Sequence, residues 1–153
     1  MAAFFCDSSA IVKRYIDETG SDWLTAIAGP KDNTVYVART TFVEVVSAVT
    51  RREKGGHIST IGAENARLQF EQDYLKEFQK VEISESLIRE AAKFAIKYAL
   101  RGYDAVQLAA VLESENARVR VGLSSLVLLS ADTDLNTAAI SEGLTVDDPN
   151  DHP

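Results

Sequence analysis

Short apolar runs alternate along this chain with stretches in which apolar positions recur every three or four residues, the pattern of strands alternating with helices. Phe4-Phe5-Cys6 is the first run, and it breaks off at Asp7-Ser8-Ser9. Ile11, Val12, Tyr15 and Ile16 then fall at helical spacing, with Ser8 or Ser9 available as a cap and Gly20 as a stop. Ser21 opens a second helix carrying Trp23, Leu24 and Ile27, and a turn cluster, Gly29 to Asn33, leads to a β-rich run, Thr34 to Val37. The spacing predicts a helix over Thr40 to Lys54 and another from Thr60 to about Gln79, joined through Gly55-Gly56 as an αα-hairpin. Val81-Glu82-Ile83 is a minimal third strand. Ser84 caps a helix striped with Leu87, Ile88, Ala91, Ala92, Ala95 and Ala99. Ala105 to Leu112 is apolar nearly all round except for Gln107, which predicts a helix buried in the middle of the protein. Leu126-Val127-Leu128-Leu129 has the character of a central parallel strand, followed by Ser130-Ala131-Asp132, a helix to Glu142, and a last strand at Leu144-Thr145-Val146. Strands alternating with helices predict an α/β fold, a parallel sheet between helical layers.

At 153 residues the chain fits one domain, predicted to span 1–147 with an acidic tail at 148–153. One cysteine, Cys6, excludes an internal disulfide and a cysteine-based zinc cluster, and fits a reducing cytoplasm. No signal segment or membrane span is expected. The net charge of −7 is uneven: residues 101–153 hold 3 Lys/Arg against 9 Asp/Glu. Part of that excess is the solvated run Asp147 to Asp151. An acidic protein is a poor generic binder of nucleic acid, so such a role would need metal ions or local basic patches. Lys13, Arg14, Arg51, Arg52 and Lys54 are candidates for such a patch, although surface solvation is the commoner explanation. His57 and His152 lack ligand spacing and read as surface residues.

Asp7 and Asp132 share a grammar. Each ends an apolar strand beside a hydroxyl, Ser8 or Ser130, and precedes a helix; in a parallel sheet both reach the same rim. Asp104 and Glu44 stand near helix N-termini that open toward that rim. Converging carboxylates repel, and Mg²⁺ or Mn²⁺ is the natural compensation. Structural roles compete for each acid. Asp104 or Asp132 can be a helix cap, Glu44 can close a Thr41-x-x-Glu44 capping box, and Asp134 suits a helix dipole.

Four segments together resemble the acidic motifs of PIN-domain ribonucleases, especially toxins of the VapC type: Cys6 to Ala10 through Lys13 and Tyr15, Thr41 to Val45, Tyr103 to Ala110, and Ser130 to Leu135. The resemblance implies a three-layer α/β/α sandwich and an RNA endonuclease that uses Mg²⁺ or Mn²⁺, one or two ions per site. It also implies a homodimer and an antitoxin partner. Carried over by position, Asp7, Asp104 and Asp132 would hold the metal, Glu44 would complete the cluster, and Ser8 and Ser130 would orient water. Asp134 is a further, weaker candidate.

Other classes fit less well. A phosphoacceptor receiver domain needs a late basic residue, yet no Lys follows Lys97. A haloacid-dehalogenase-like phosphatase wants a second Asp where Ser9 stands. A PIN-like module without catalysis, binding RNA or protein only, and a housekeeping RNA-processing nuclease are the remaining alternatives.

Overall fold

A computed structural model describes residues 1–153. Its sheet has five strands, β1 (Ala3–Cys6), β2 (Thr34–Ala38), β3 (Gln79–Val81), β4 (Val127–Leu129) and β5 (Thr145–Asp147), in the order β3-β2-β1-β4-β5. All four pairings are parallel. Seven helices cover it: α1 (Ser8–Ile11), α2 (Ser21–Ala28), α3 (Thr41–Lys54), α4 (Thr60–Lys76), α5 (Glu85–Tyr98), α6 (Gly102–Arg120) and α7 (Thr133–Ser141).

The pleat divides the strand residues between two cores. Cys6, Val35, Val37 and Leu129 face a core shared with α1 to α4, whereas Phe5, Ala38 and Leu128 face a core shared with α5 to α7. Helices therefore lie on both faces, giving the three-layer α/β/α arrangement expected of a parallel sheet. β1 and β4 lie side by side at the middle, so Asp7 and Ser130, which follow them, emerge at one edge.

The last strand lies one residue later than expected, at Thr145–Asp147, and three regions differ from the sequence pattern by more. The first helix is α only to Ile11 and tightens to a 3-10 turn over Val12–Arg14, with Asp7 rather than Ser8 or Ser9 as its N-cap. α4 stops at Lys76, because Glu77 and Phe78 both donate to the Asp73 carbonyl, and the chain enters β3 at Gln79, opposite Tyr36. The third strand is thus Gln79–Val81 rather than Val81–Ile83. α6 runs eight residues past Leu112, anchored where Arg118 donates to the Ser124 carbonyl at 2.8 Å and to Tyr36 at 3.2 Å.

The C-terminal residues are docked rather than free. Pro149–Asp151 form a 3-10 turn with Pro149 buried, and His152 stacks on Trp23 at 3.9 Å while bonding Asp147 at 2.8 Å. No helix is long and apolar enough to cross a membrane.

Candidate active site

The chain turns from β1 into α1 at Asp7, and the turn itself holds the carboxylate. Asp7 Oδ1 accepts the Ala10 N–H at 3.0 Å and Ser9 Oγ at 2.7 Å, while Oδ2 accepts Ser130 Oγ at 2.9 Å. Ser9 Oγ in turn accepts the Ala131 N–H at 2.9 Å, tying the end of β4 to the start of α1. Asp7 is only 2% exposed. Burial pushes its carboxyl up to about 6, against the pull of the hydrogen bonds from Ser9, Ser130 and Ala10.

Asp132 is the N-cap of α7, accepting the Leu135 N–H at 2.9 Å, and its own N–H donates to Ser130 Oγ at 3.1 Å. Its capping role and its place beside Asp7 coexist. Asp104 is not a cap: α6 begins behind Arg101, and Asp104 lies buried in the first turn. Burial first, and then the charges of Asp132 and Asp7, push its carboxyl up to about 7; Arg101 eases the shift and Glu44 adds to it. Asp104 therefore feels all three other acids.

The capping box proposed for Glu44 does not form. Thr40, not Thr41, is the N-cap of α3, without a side-chain cap bond. The Glu44 carboxylate instead accepts Ser8 Oγ at 2.6 Å and Gln107 Nε2 at 3.3 and 3.4 Å. Gln107 also donates to Thr41 Oγ1 at 3.0 Å, and its Oε1 is buried without a partner. Neither Gln107 nor Thr41 was singled out by the sequence pattern as part of the site. The signal available was the lone polar position in an otherwise apolar helix. Asp134 stands exposed in the first turn of α7 and joins none of these bonds.

An open cleft of about 610 Å³ adjoins the acids, lined by Ser8, Ser9 and Glu44 and extending along α3 to Arg51 and Arg52. The basic candidates sort sharply beside it. Lys13 is 3.3 Å from Glu18, Arg52 is 3.0 Å from Glu18, and Arg14 is bound to Glu77 and Asp73 at 3.0 and 3.4 Å. Arg51, in contrast, is exposed and donates to Ser47 Oγ.

The chemistry of the donor set fits a hard divalent cation: four carboxylates from four elements, two of them held above their ordinary range by burial and mutual repulsion. No three Asp, Glu, His or Cys side chains close around a common point as ligands in this arrangement. The acids are near enough to repel one another without forming a finished cage.

A parallel sheet order of this kind, with acids at the carboxyl ends of its central strands, places the protein in a known class. The chain belongs to the PIN domain family, whose model matches residues 4–140. Within that family it is 30% identical over 146 residues to Ribonuclease VapC45 of Mycobacterium tuberculosis (strain CDC 1551 / Oshkosh), a match covering 95% of each chain. Its fold is similar to that of FitAB bound to an IR36 DNA fragment (TM-score 0.67, 14% identity, 95% of this chain and 94% of that one). It is also similar to M. tuberculosis VapC20, described as a sarcin-ricin loop cleaving toxin (TM-score 0.62, 14% identity, 88% and 94% covered). A third likeness is to VapBC-5 of the same organism, from a family of toxin-antitoxin systems (TM-score 0.56, 17% identity, 97% and 98% covered). At those identities the solved structures speak to fold alone.

Proposed function

We propose that this protein is a divalent-metal-dependent endoribonuclease that hydrolyses RNA phosphodiester bonds as the toxin of a toxin–antitoxin pair. The observation that carries the proposal is the crowding of Asp7, Asp104, Asp132 and Glu44 at one sheet edge, with two of the acids raised toward neutrality by burial and by one another. The ribonuclease name of its VapC relative supports the RNA substrate, and the toxin named among its structural neighbours supports the toxin context.

Asp7, Asp104 and Asp132 would hold Mg²⁺ or Mn²⁺, one or two ions, with Glu44 completing the set. When bound, such a cation supplies the positive charge and the acidified water that phosphodiester hydrolysis needs. The chain's own groups prepare the place. Ser9, Ser130 and the Ala10 amide fix both oxygens of Asp7, whereas Ser8 and Gln107 fix Glu44. Asp104, raised to about 7, carries a proton for much of the time near neutral pH and sheds it when positive charge arrives. Asp134 is a peripheral candidate at most, because it takes no part in these bonds. A cognate antitoxin that covers the site belongs to the same proposal, a partner supported by the toxin–antitoxin relatives of this fold, and with it go a homodimer and a cytoplasmic location.

The test is cleavage of RNA by purified, antitoxin-free protein in Mg²⁺ or Mn²⁺, with a chelator control. Asp7→Asn is expected to lower the rate by more than the 10–100-fold typical of groups outside the metal's own ligands, about 100-fold or more. Absence of cleavage in both metals, together with an Asp7→Asn variant as harmful in cells as the wild type, would overturn the proposal.

A further inference from the structure

Two arginines line the cleft, Arg51 and Arg52, and of these Arg52 is spent on a carboxylate of the protein itself, as are Lys13 and Arg14 elsewhere. Glu18 takes Lys13 and Arg52, and Asp73 and Glu77 take Arg14. Arg51 is left with only the Ser47 hydroxyl, at 2.6 Å, and lines the far end of the cleft from Glu44. The two residues are seven positions apart on α3, a rise of about 10 Å, so both lie on one wall of the same channel. Tyr103, one residue before Asp104, lines the same cleft. Tyr103 is 51% exposed, and Arg101 donates to its hydroxyl at 2.9 Å. The protein's ring pairs involve other aromatics, so Tyr103 is not committed to an internal stack.

We infer that Tyr103 and Arg51 position the RNA in this cleft beside the bond to be cut, one unstacked base lying on the Tyr103 ring and a backbone phosphate on Arg51. The inference rests on the nuclease proposal for the acid cluster and names how its substrate is held. A cation that no carboxylate neutralises is free to meet a phosphate, and an exposed aromatic face in a groove takes any base that is not already stacked in a helix. Duplex RNA offers no such base, so the Tyr103 contact is one that a single strand makes and a duplex does not. A net charge of −7 leaves little general attraction for RNA, which makes the one arginine of the cleft lining without a carboxylate partner matter more.

The experiment measures binding without cleavage: fluorescence anisotropy of a labelled, unstructured RNA oligonucleotide and of its duplex, in EDTA, across a salt series. Wild type is expected to bind the single strand in preference to the duplex. Arg51→Ala should weaken binding and reduce the magnitude of the salt slope by about 0.7, as loss of one phosphate contact on a single strand requires. Tyr103→Ala should weaken binding about 5- to 100-fold, whereas Tyr103→Phe, which keeps the ring and loses the bond from Arg101, should stay within about 3-fold of wild type. Lys54→Ala, at the exposed end of α3 outside the cleft lining, should leave binding unchanged. In Mg²⁺ or Mn²⁺ the Arg51 and Tyr103 variants should raise KM more than they lower kcat. Equal binding by wild type, Arg51→Ala and Tyr103→Ala overturns the inference, as does duplex bound as well as single strand, Lys54→Ala as damaging as Arg51→Ala, or no binding by wild type. Cleavage with unaltered binding in the variants would sink the inference and leave the nuclease proposal standing. Binding that depends on both residues without cleavage in either metal would do the reverse.

Discussion

Asp7 caps a helix, accepts three hydrogen bonds and is sealed almost completely from water. Asp104 is buried among like charges. Both carboxyls are raised, to about 6 and about 7, above the 3.8 of an ordinary Asp. Between those limits the folded protein binds more protons than the unfolded chain, so without metal these two groups make stability fall as pH climbs from about 4 to about 7 and level off above. Asp104→Asn removes one of them. It should flatten that decline and raise the metal-free melting temperature at pH 7 by a few degrees, since about 1 kcal/mol corresponds to about 2–4 °C in a protein of this size. Thermal melts across pH in a chelator check both the sign and the size. Gln107 bears on the same region through its bonds to Glu44. Gln107→Leu keeps the bulk but removes the donor to Glu44 and Thr41, and it should lower metal affinity or cleavage about 10-fold with little change in fold. An unchanged Mn²⁺ affinity would show that Glu44 needs no such support.

At the level of elements, the site was legible where chemistry and element boundary coincide. Asp7 and Asp132 each follow an apolar strand, and that strand end predicted their place; each also caps the next helix, a role the sequence offered for Asp132 but gave to Ser8 or Ser9 at the first helix. Glu44 was harder, because Thr41-x-x-Glu44 matches a capping box in sequence while the helix actually starts from Thr40 and turns Glu44 toward Ser8 and Gln107. Gln107 itself is one polar residue in an apolar run, and its bonds depend on residues 63 and 66 positions earlier in the chain. β3 was shifted for a similar reason: Gln79 and Lys80 have no strand-like pattern and join the sheet through pairing with Tyr36 and Val37. The docked C-terminus was not legible at all, since it hangs on Gly20. That glycine has φ of +85°, and a Cβ there would lie 2.1 Å from the Pro149 carbonyl oxygen. Gly20→Ala should therefore cost about 2–4 kcal/mol through a left-handed backbone and a displaced Pro149 turn. Denaturant unfolding measures it; a loss under about 0.5 kcal/mol would mean that the docking is loose.

For the whole molecule, the sheet order explains why acids from residues 7, 44, 104 and 132 share one edge: β1 and β4 are central neighbours, and α3 and α6 begin beside them. The acidic excess of the last third proves to be only partly a surface property. Asp104 and Asp132 belong to the cluster, Glu115 accepts the Leu126 N–H at 2.9 Å, and Asp147 holds His152. The central claim is that this edge is a cation site, and its most direct measurement is the melting temperature against added Mn²⁺ for wild type, Asp132→Asn and Asp151→Asn. A ligand that binds only the folded state raises stability with the logarithm of its concentration. The account predicts a rise for wild type and for Asp151→Asn, whose substitution lies in the C-terminal turn, and a rise largely lost in Asp132→Asn. No shift in wild type at millimolar Mn²⁺, or an equal shift in all three proteins, would contradict it.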